Sequence, residues 1–269
     1  MFGWGVDSER GSARVDLNES CRAVCRVRLY TLQRRVGKTI AMSEYLATSD
    51  FDPSEPFAVT IELVRQLVAE TRVDGAAVAV FATEMTRNLV FASDEGAEEL
   101  DDLQFTLGEG PGLDAYRFHR QELHDDLAGG QARVRWPFFS GQALSVGAAS
   151  FYAYPLAGGG TPFGVLELYG RSPVALSPID DVICRALIRP IARAVLSELD
   201  QPHGGKSPDD PASSRVDVDI ASGMLAAHHG ISVDEALVRL RALAFSRQCR
   251  ITELTEDVLR GERFESDLG

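Results

Sequence analysis

Along residues 56–71, "PFAVTIELVRQLVAET", apolar residues recur at helical spacing: Val59, Leu63 and Leu67, with Ile61, Val64 and Val68 beside them. The pattern then changes period. "DGAAVAVFA" and "RNLVFASD" read as two strands, and "TEMT" between them reads as the turn of a hairpin. "AEELDDLQF" from Ala97 reads as a short acidic helix. A second hairpin follows an irregular middle. Its strands are expected over Ala149–Pro155 and Phe163–Tyr169, with a glycine-rich turn at Gly158–Gly160. "SPIDDVICRALIRPIARAVLSELD" is a long helix that Ser177 or Asp180 can cap, and Pro190 should kink it. Residues 55–200 therefore read as one α+β unit, an antiparallel sheet flanked by helices.

Residues 201–214, "QPHGGKSPDDPASS", hold three prolines and two glycines and read as a linker, with His203 simply solvated. Residues 215–264 are helical throughout. A first helix over roughly Val216–His229 stops at Gly230, a residue suited to the left-handed position after a helix. "SVDE" from Ser232 is a capping box that opens the second helix. Leu237, Leu240, Leu243 and Ala244 line one face of that helix, and Arg239, Arg241 and Arg247 take others. Thr252 can cap a third helix, which buries Leu254, Val258 and Leu259 and ends at Gly261. Three short helices make a small bundle.

The first 41 residues stand apart. They hold eight Lys/Arg against four acids and show no sustained period. They read as a disordered basic arm, or as an over-extended start with Met42 as the true one. The whole chain of 269 residues has 45% hydrophobic and 25% charged residues, a net charge of −13 and a sequence pI of about 4.8. This is the composition of a soluble globular protein. It disfavours a surface that grips nucleic acid everywhere, while leaving room for a local patch. No apolar run reaches the ~18 residues of a membrane span. Cys21, Cys25, Cys184 and Cys249 form no C-x-x-C pair, and no signal peptide precedes them, so reduced thiols in a cytoplasmic protein are expected.

Catalytic chemistry finds little support. Gly108, Gly110 and Gly112 fit neither the dinucleotide fingerprint nor a phosphate-binding P-loop, and a structural turn is the simpler reading. His119 and His124 are five apart, which does not place two imidazoles on one helix face. No nucleophile elbow or zinc-binding helix appears. His228 and His229 are adjacent and point about 100° apart on a helix, so they read as terminal helix residues rather than metal ligands. No enzyme activity, no catalytic or metal residues and no cofactor are expected.

Two resemblances add to this reading. "GEGPGLDAYRFHRQELHDDL" from Gly108, "RWPFF" from Arg135 and "YPLAGGGTPFGVLELYGRSPVALSPIDD" from Tyr154 resemble the GAF domains of actinobacterial regulators. Gly112 stands where that family usually has cysteine. The resemblance implies a small-molecule pocket or a dimer surface. No ligand can be named, and Phe138, Phe139, Phe151, Tyr152 and Tyr154 read as core before they read as pocket lining.

"DIASGMLAAHHGISVDEALVRLRALAFSRQCRITELTEDVL" is similar to ANTAR domains, with Ala221, Gly223, Leu225, Gly230, Glu235, Ala236, Leu240, Arg241, Ala244 and Arg247 matching the family pattern. The resemblance implies an RNA-binding module that engages hairpin loops in nascent transcripts and acts as an antiterminator, here under a GAF sensor. Two positions depart from it: Ser222 stands at the family's lysine and Gln248 at its asparagine. Residues 215–264 carry seven arginines and no lysine against eight acids, a net of −1. Arg239, Arg241, Arg247 and Arg250 offer a basic strip, since arginine pairs with phosphate and stacks on bases. Ser222, Arg239, Arg241, Arg247, Gln248 and Arg250 are thus the expected RNA-binding residues. Phe245 reads as core as readily as it reads as a stacking ring.

The expectation is a signal-responsive, homodimeric RNA-binding antitermination regulator. The alternative is a sensor or dimerisation protein whose helical module has lost RNA affinity and works through protein contacts. A DNA-binding helix-turn-helix is disfavoured, because Glu253, Glu256 and Asp257 on the third helix would repel phosphates.

Overall fold

The computed structural model describes residues 56–82, 86–200, 211–247 and 249–259. The expectations for residues 1–41, His203, Gln248 and Gly261 lie outside these residues, as does the expected turn over 83–85.

Helix α1 (Ala58–Glu70) leads into an antiparallel pair, β1 (Gly75–Phe81) and β2 (Arg87–Ala92). Helix α2 (Glu95–Leu107) follows, with the Asp94 side chain accepting from the Ala97 amide at its start and Gly108 ending it at φ 69°. Three short helices come next: α3 (Pro111–Arg117), α4 (Gly130–Arg135) and α5 (Pro137–Val146), with the three-residue strand β3 (Glu122–His124) between the first two. A long hairpin, β4 (Ser150–Gly158) and β5 (Thr161–Gly170), turns at Gly159 and Gly160, both at positive φ. Helix α6 (Pro178–Leu199) closes the domain and runs on through Pro190.

The five strands form one antiparallel sheet in the order β2-β1-β5-β4-β3. Strand alternation sends one set of residues to each face. Ala76 and Val78, Tyr152 and Tyr154, Leu166 and Leu168 pack under α1 and α6. Ala77 and Ala79, Phe151 and Ala153, Val165 and Tyr169 pack under α2 to α5 with Trp136 and Phe139. Both faces are covered, so the strands read as nearly continuous apolar runs rather than as alternating ones.

The N-terminus of α1 has no side-chain cap of its own, because Phe57, in the left-handed region at φ 59°, has no acceptor on its side chain. Glu198 of α6 supplies the missing acceptor. Its carboxylate takes the Val59 amide at 2.7 Å, the Thr60 amide at 3.2 Å and the Thr60 hydroxyl at 2.6 Å. A buried anion at a helix N-terminus is favoured by the macrodipole, so this contact also pins the two helices together.

The helical module holds α7 (Pro211–His229), α8 (Val233–Arg247) and α9 (Ile251–Leu259). Helix α7 begins five residues before its expected start, and Pro211–Ser214, expected as linker, form its first turn. Proline is at home there because the first helical amides lack partners anyway. Gly230 at φ 65° ends α7, and the Ile231 amide donates to the Ala226 carbonyl at 3.1 Å, closing the turn as expected. Ser232 accepts from the Glu235 amide at 3.1 Å, which is the expected cap of α8. Among the described residues, no helix is long and apolar enough to cross a membrane.

Candidate nucleic-acid interface

Several motif residues turn out to build the fold. Glu109 accepts from the Phe138 and Phe139 amides at 2.7 and 2.8 Å and so caps α5. Asp114 takes the Trp136 indole at 3.0 Å and the Arg135 guanidinium at 2.5 Å, and Arg135 also reaches Glu122 at 2.6 Å. Burial pushes the Glu122 carboxyl up, but hydrogen bonds from Arg135, His124 and Arg120 outweigh it and hold the group below the usual carboxylate range. His124 is buried against Trp136 and hydrogen-bonded to Glu122 at 3.1 Å, while His119 is exposed. Among the described residues no cluster of His, Cys, Asp and Glu could hold a metal ion.

The helical module is docked on the sheet domain through α2 and β2. Phe105 of α2 sits in the same core as Val218, Leu225, Leu240 and Leu254. Arg215 is buried, with 1% of its surface exposed. Its Nη2 pairs with both Asp101 and Asp102 of α2, the latter at 2.7 Å. Arg250 pairs with Asp102 at 3.1 Å. Arg241 donates from Nε to the Phe105 carbonyl at 3.0 Å. The Phe105 ring lies 4.8 Å from the Arg215 guanidinium and 5.7 Å from that of Arg241. Burial pushes Arg241 down to about 10, and the neighbouring Arg117 and Arg87 push the same way.

Asp101 also faces inward, to a buried charge ladder. Arg87 of β2 pairs with Asp101 and, at 3.1 Å, with Glu167 of β5. Gln104 donates to Glu167 at 3.0 Å and accepts from the Gly112 amide at 2.7 Å. Burial pushes the Arg87 guanidinium down, and Arg215 does likewise, while Glu167 holds it up. The Nε and Nη1 atoms of both Arg87 and Arg215 have no hydrogen-bond partner among the described residues.

These contacts redistribute the expected RNA-binding residues. Arg241 and Arg250 face α2. Arg239 lies two residues from Arg241, about 200° around the helix, and pairs on the exposed side with Glu235 at 2.8 Å. Arg247 is half-buried in the last turn of α8. The four arginines do not form one strip. Ser222 is 1% exposed, and its hydroxyl donates to the Val218 carbonyl at 2.7 Å, so in this arrangement it is no surface contact. Sequence reasoning missed Arg215, whose place seven residues before Ser222 on α7 puts both on the same helical stripe. It also missed Asp101 and Asp102, which read only as the polar side of an acidic helix.

Beside this contact lies a cleft of about 910 Å³ between α2, α5, α8 and α9, lined by Leu103, Leu107, Phe138, Phe245, Arg250 and Glu253 among others. Phe138 and Phe245, 52% and 45% exposed, meet edge to face with ring centres 4.9 Å apart. Neither belongs to the core. Phe139, Phe151, Tyr152 and Tyr154 do, as expected.

Residues 212–259 match the ANTAR domain. The solved structures this chain is similar to include the GAF domain of an Acinetobacter phosphoenolpyruvate-protein phosphotransferase, at 13% identity over 66% of this chain and 98% of that one, with a TM-score of 0.44. A GAF domain of the same kind of protein from Coxiella burnetii is 12% identical over 64% and 95%, with a TM-score of 0.45. A free methionine-R-sulfoxide reductase from Thermoplasma acidophilum is 15% identical over 53% and 92%, with a TM-score of 0.40. Comparison with curated proteins finds no match.

Proposed function

We propose that the chain is a signal-responsive regulator in which a GAF-type sensor domain controls an ANTAR module that binds hairpin loops of nascent transcripts and acts by antitermination. It works through binding rather than catalysis, in the cytoplasm, as a homodimer. The observation that carries this reading is the gathering of Arg215, Arg241 and Arg250 on one side of the helices that match the ANTAR domain. Guanidiniums brought together in this way can pair with phosphates and stack on splayed bases. The cleft beside them, with its two exposed phenylalanines, is the place we assign to a small-molecule signal. Exposed Ile179, Val182 and Leu196 on α6 support a dimer seam.

A gel shift of the full chain with a paired-hairpin RNA at moderate salt tests this reading. A shift clearly beyond that of a scrambled RNA is expected, and equal binding of both would overturn it. A second reading, in which the module serves only protein contacts, is favoured by one observation: the same three arginines are engaged by the sheet domain.

A further inference from the structure

The groups that hold the three arginines are of the kind RNA would offer. Asp101 and Asp102 present adjacent carboxylates to Arg215, and Asp102 shares its second oxygen with Arg250. Carboxylate and phosphate oxygens compete for the same guanidinium N–H donors, here Nη2 of Arg215 and Nη1 of Arg250. Phe105 gives Arg241 a carbonyl oxygen and places its ring against the guanidiniums of Arg215 and Arg241. That is the face on which an unpaired base would stack.

We propose that α2 is an internal competitor for RNA: Asp101 and Asp102 pair with Arg215, Asp102 takes one nitrogen of the half-exposed Arg250, and Phe105 holds Arg241, so RNA engages the three together only in the fraction of molecules whose helical module has left α2. This rests on the RNA-binding reading above.

Two features make the contact a releasable one. It is polar at its centre and imperfectly satisfied, since two nitrogens of buried Arg215 lack partners among the described residues. It is also flanked on one side by the open cleft, so that its apolar share rests on Phe105 against Val218, Leu225, Leu240 and Leu254. The trigger has a physical route. Asp101 is shared between Arg215 and Arg87, Arg87 is shared with Glu167, and Glu167 is tied through Gln104 to the amide of Gly112. Any shift of Glu167 or Arg87 inside the sheet domain changes the anion left for Arg215. The two domains are thereby linked by alternating charges and not merely by proximity.

The test uses the full chain, a fluorescently labelled paired-hairpin RNA and amide hydrogen exchange. Asp102→Asn removes the pairs with Arg215 and Arg250. Phe138→Ala removes the ring contact with Phe245 and leaves every arginine in place. Asp125→Asn, exposed and on the far side of the ladder, controls for the loss of one negative charge. Both release variants are expected to speed exchange over residues 215–225 and to tighten RNA binding at least about fivefold, the lower end of ordinary coupling between sites. The control is expected to change neither. If the wild type binds RNA and the variants open in exchange but bind no tighter, the competitor proposal falls and the RNA reading stands. If exchange and affinity are both unchanged, the contact does not control release and the proposal falls. If opened variants and wild type alike bind no RNA, the RNA reading itself fails and takes the proposal with it.

Discussion

Gly112 sits directly against the buried Glu167 carboxylate. A Cβ built there would lie 1.6 Å from Oε1 of Glu167 and 3.0 Å from Oε1 of Gln104. The cysteine usual at this position in the resembling family therefore fits only if the Glu167 carboxylate shifts. Gly112→Ala is expected to push Glu167 off Arg87 and leave a buried guanidinium under-paired, at a cost of about 3 kcal/mol. A chemical denaturation midpoint unchanged from the wild type would overturn this. Ser222 carries the opposite lesson. Its hydroxyl is buried and satisfied by Val218, so a lysine there would have to bring an ammonium into a closed contact. Ser222→Lys is expected to destabilise the docked form by about 2 kcal/mol, read as a lower unfolding midpoint. Ser222→Met, similar in length but uncharged, separates the two possible causes of any gain in RNA binding. A gain shared by both variants reports opening of the contact, whereas a gain confined to lysine reports a new phosphate pair.

Among elements, length and terminal chemistry decided what could be seen in advance. Helix α1, both hairpins and α6 are long enough for a period to repeat, and each appears within a few residues of its expected bounds. The stretch between α2 and β4 was opaque for the reverse reason. Helices α3, α4 and α5 have 7, 6 and 10 residues and β3 has three. Two of those helices open on proline, which reads as a break in a bare sequence. What holds this stretch together is a tertiary charge cluster, Arg135 with Asp114 and Glu122, that no local period announces. The cluster predicts a pH dependence. Because the folded Glu122 pKa lies below its ordinary value of 4.5, the unfolded chain takes up the proton first as pH falls. Its contribution to stability is complete above that value and is lost as pH drops through the folded pKa. Unfolding midpoints measured from about pH 6 to pH 3 should fall in the acid range. Glu122→Gln should flatten that part of the curve, and an unaltered slope would refute the assignment.

At the scale of the whole molecule, the arginines were legible as residue types but not as a surface. Which way each one faces is set by docking, and docking depends on Phe105, Asp101 and Asp102 in another domain. The net charge of −13 sharpens the point. Under the proposed function RNA is repelled by most of this chain, so affinity comes from a few local guanidiniums, of which Arg215 and Arg241 are covered by α2 in the docked form. Each phosphate neutralised on a single strand changes the slope of log K against log salt by about −0.7. In the Asp102→Asn background, where Arg250 is released, Arg250→Ala should therefore make the slope shallower by about 0.7. In the wild type RNA must first displace Asp102 from Arg250, 3.1 Å away, which weakens affinity but leaves the same phosphate contact in the bound state, so the same substitution should make the slope shallower by about the same amount. A slope unchanged by Arg250→Ala in both backgrounds would mean that Arg250 meets no phosphate even when released.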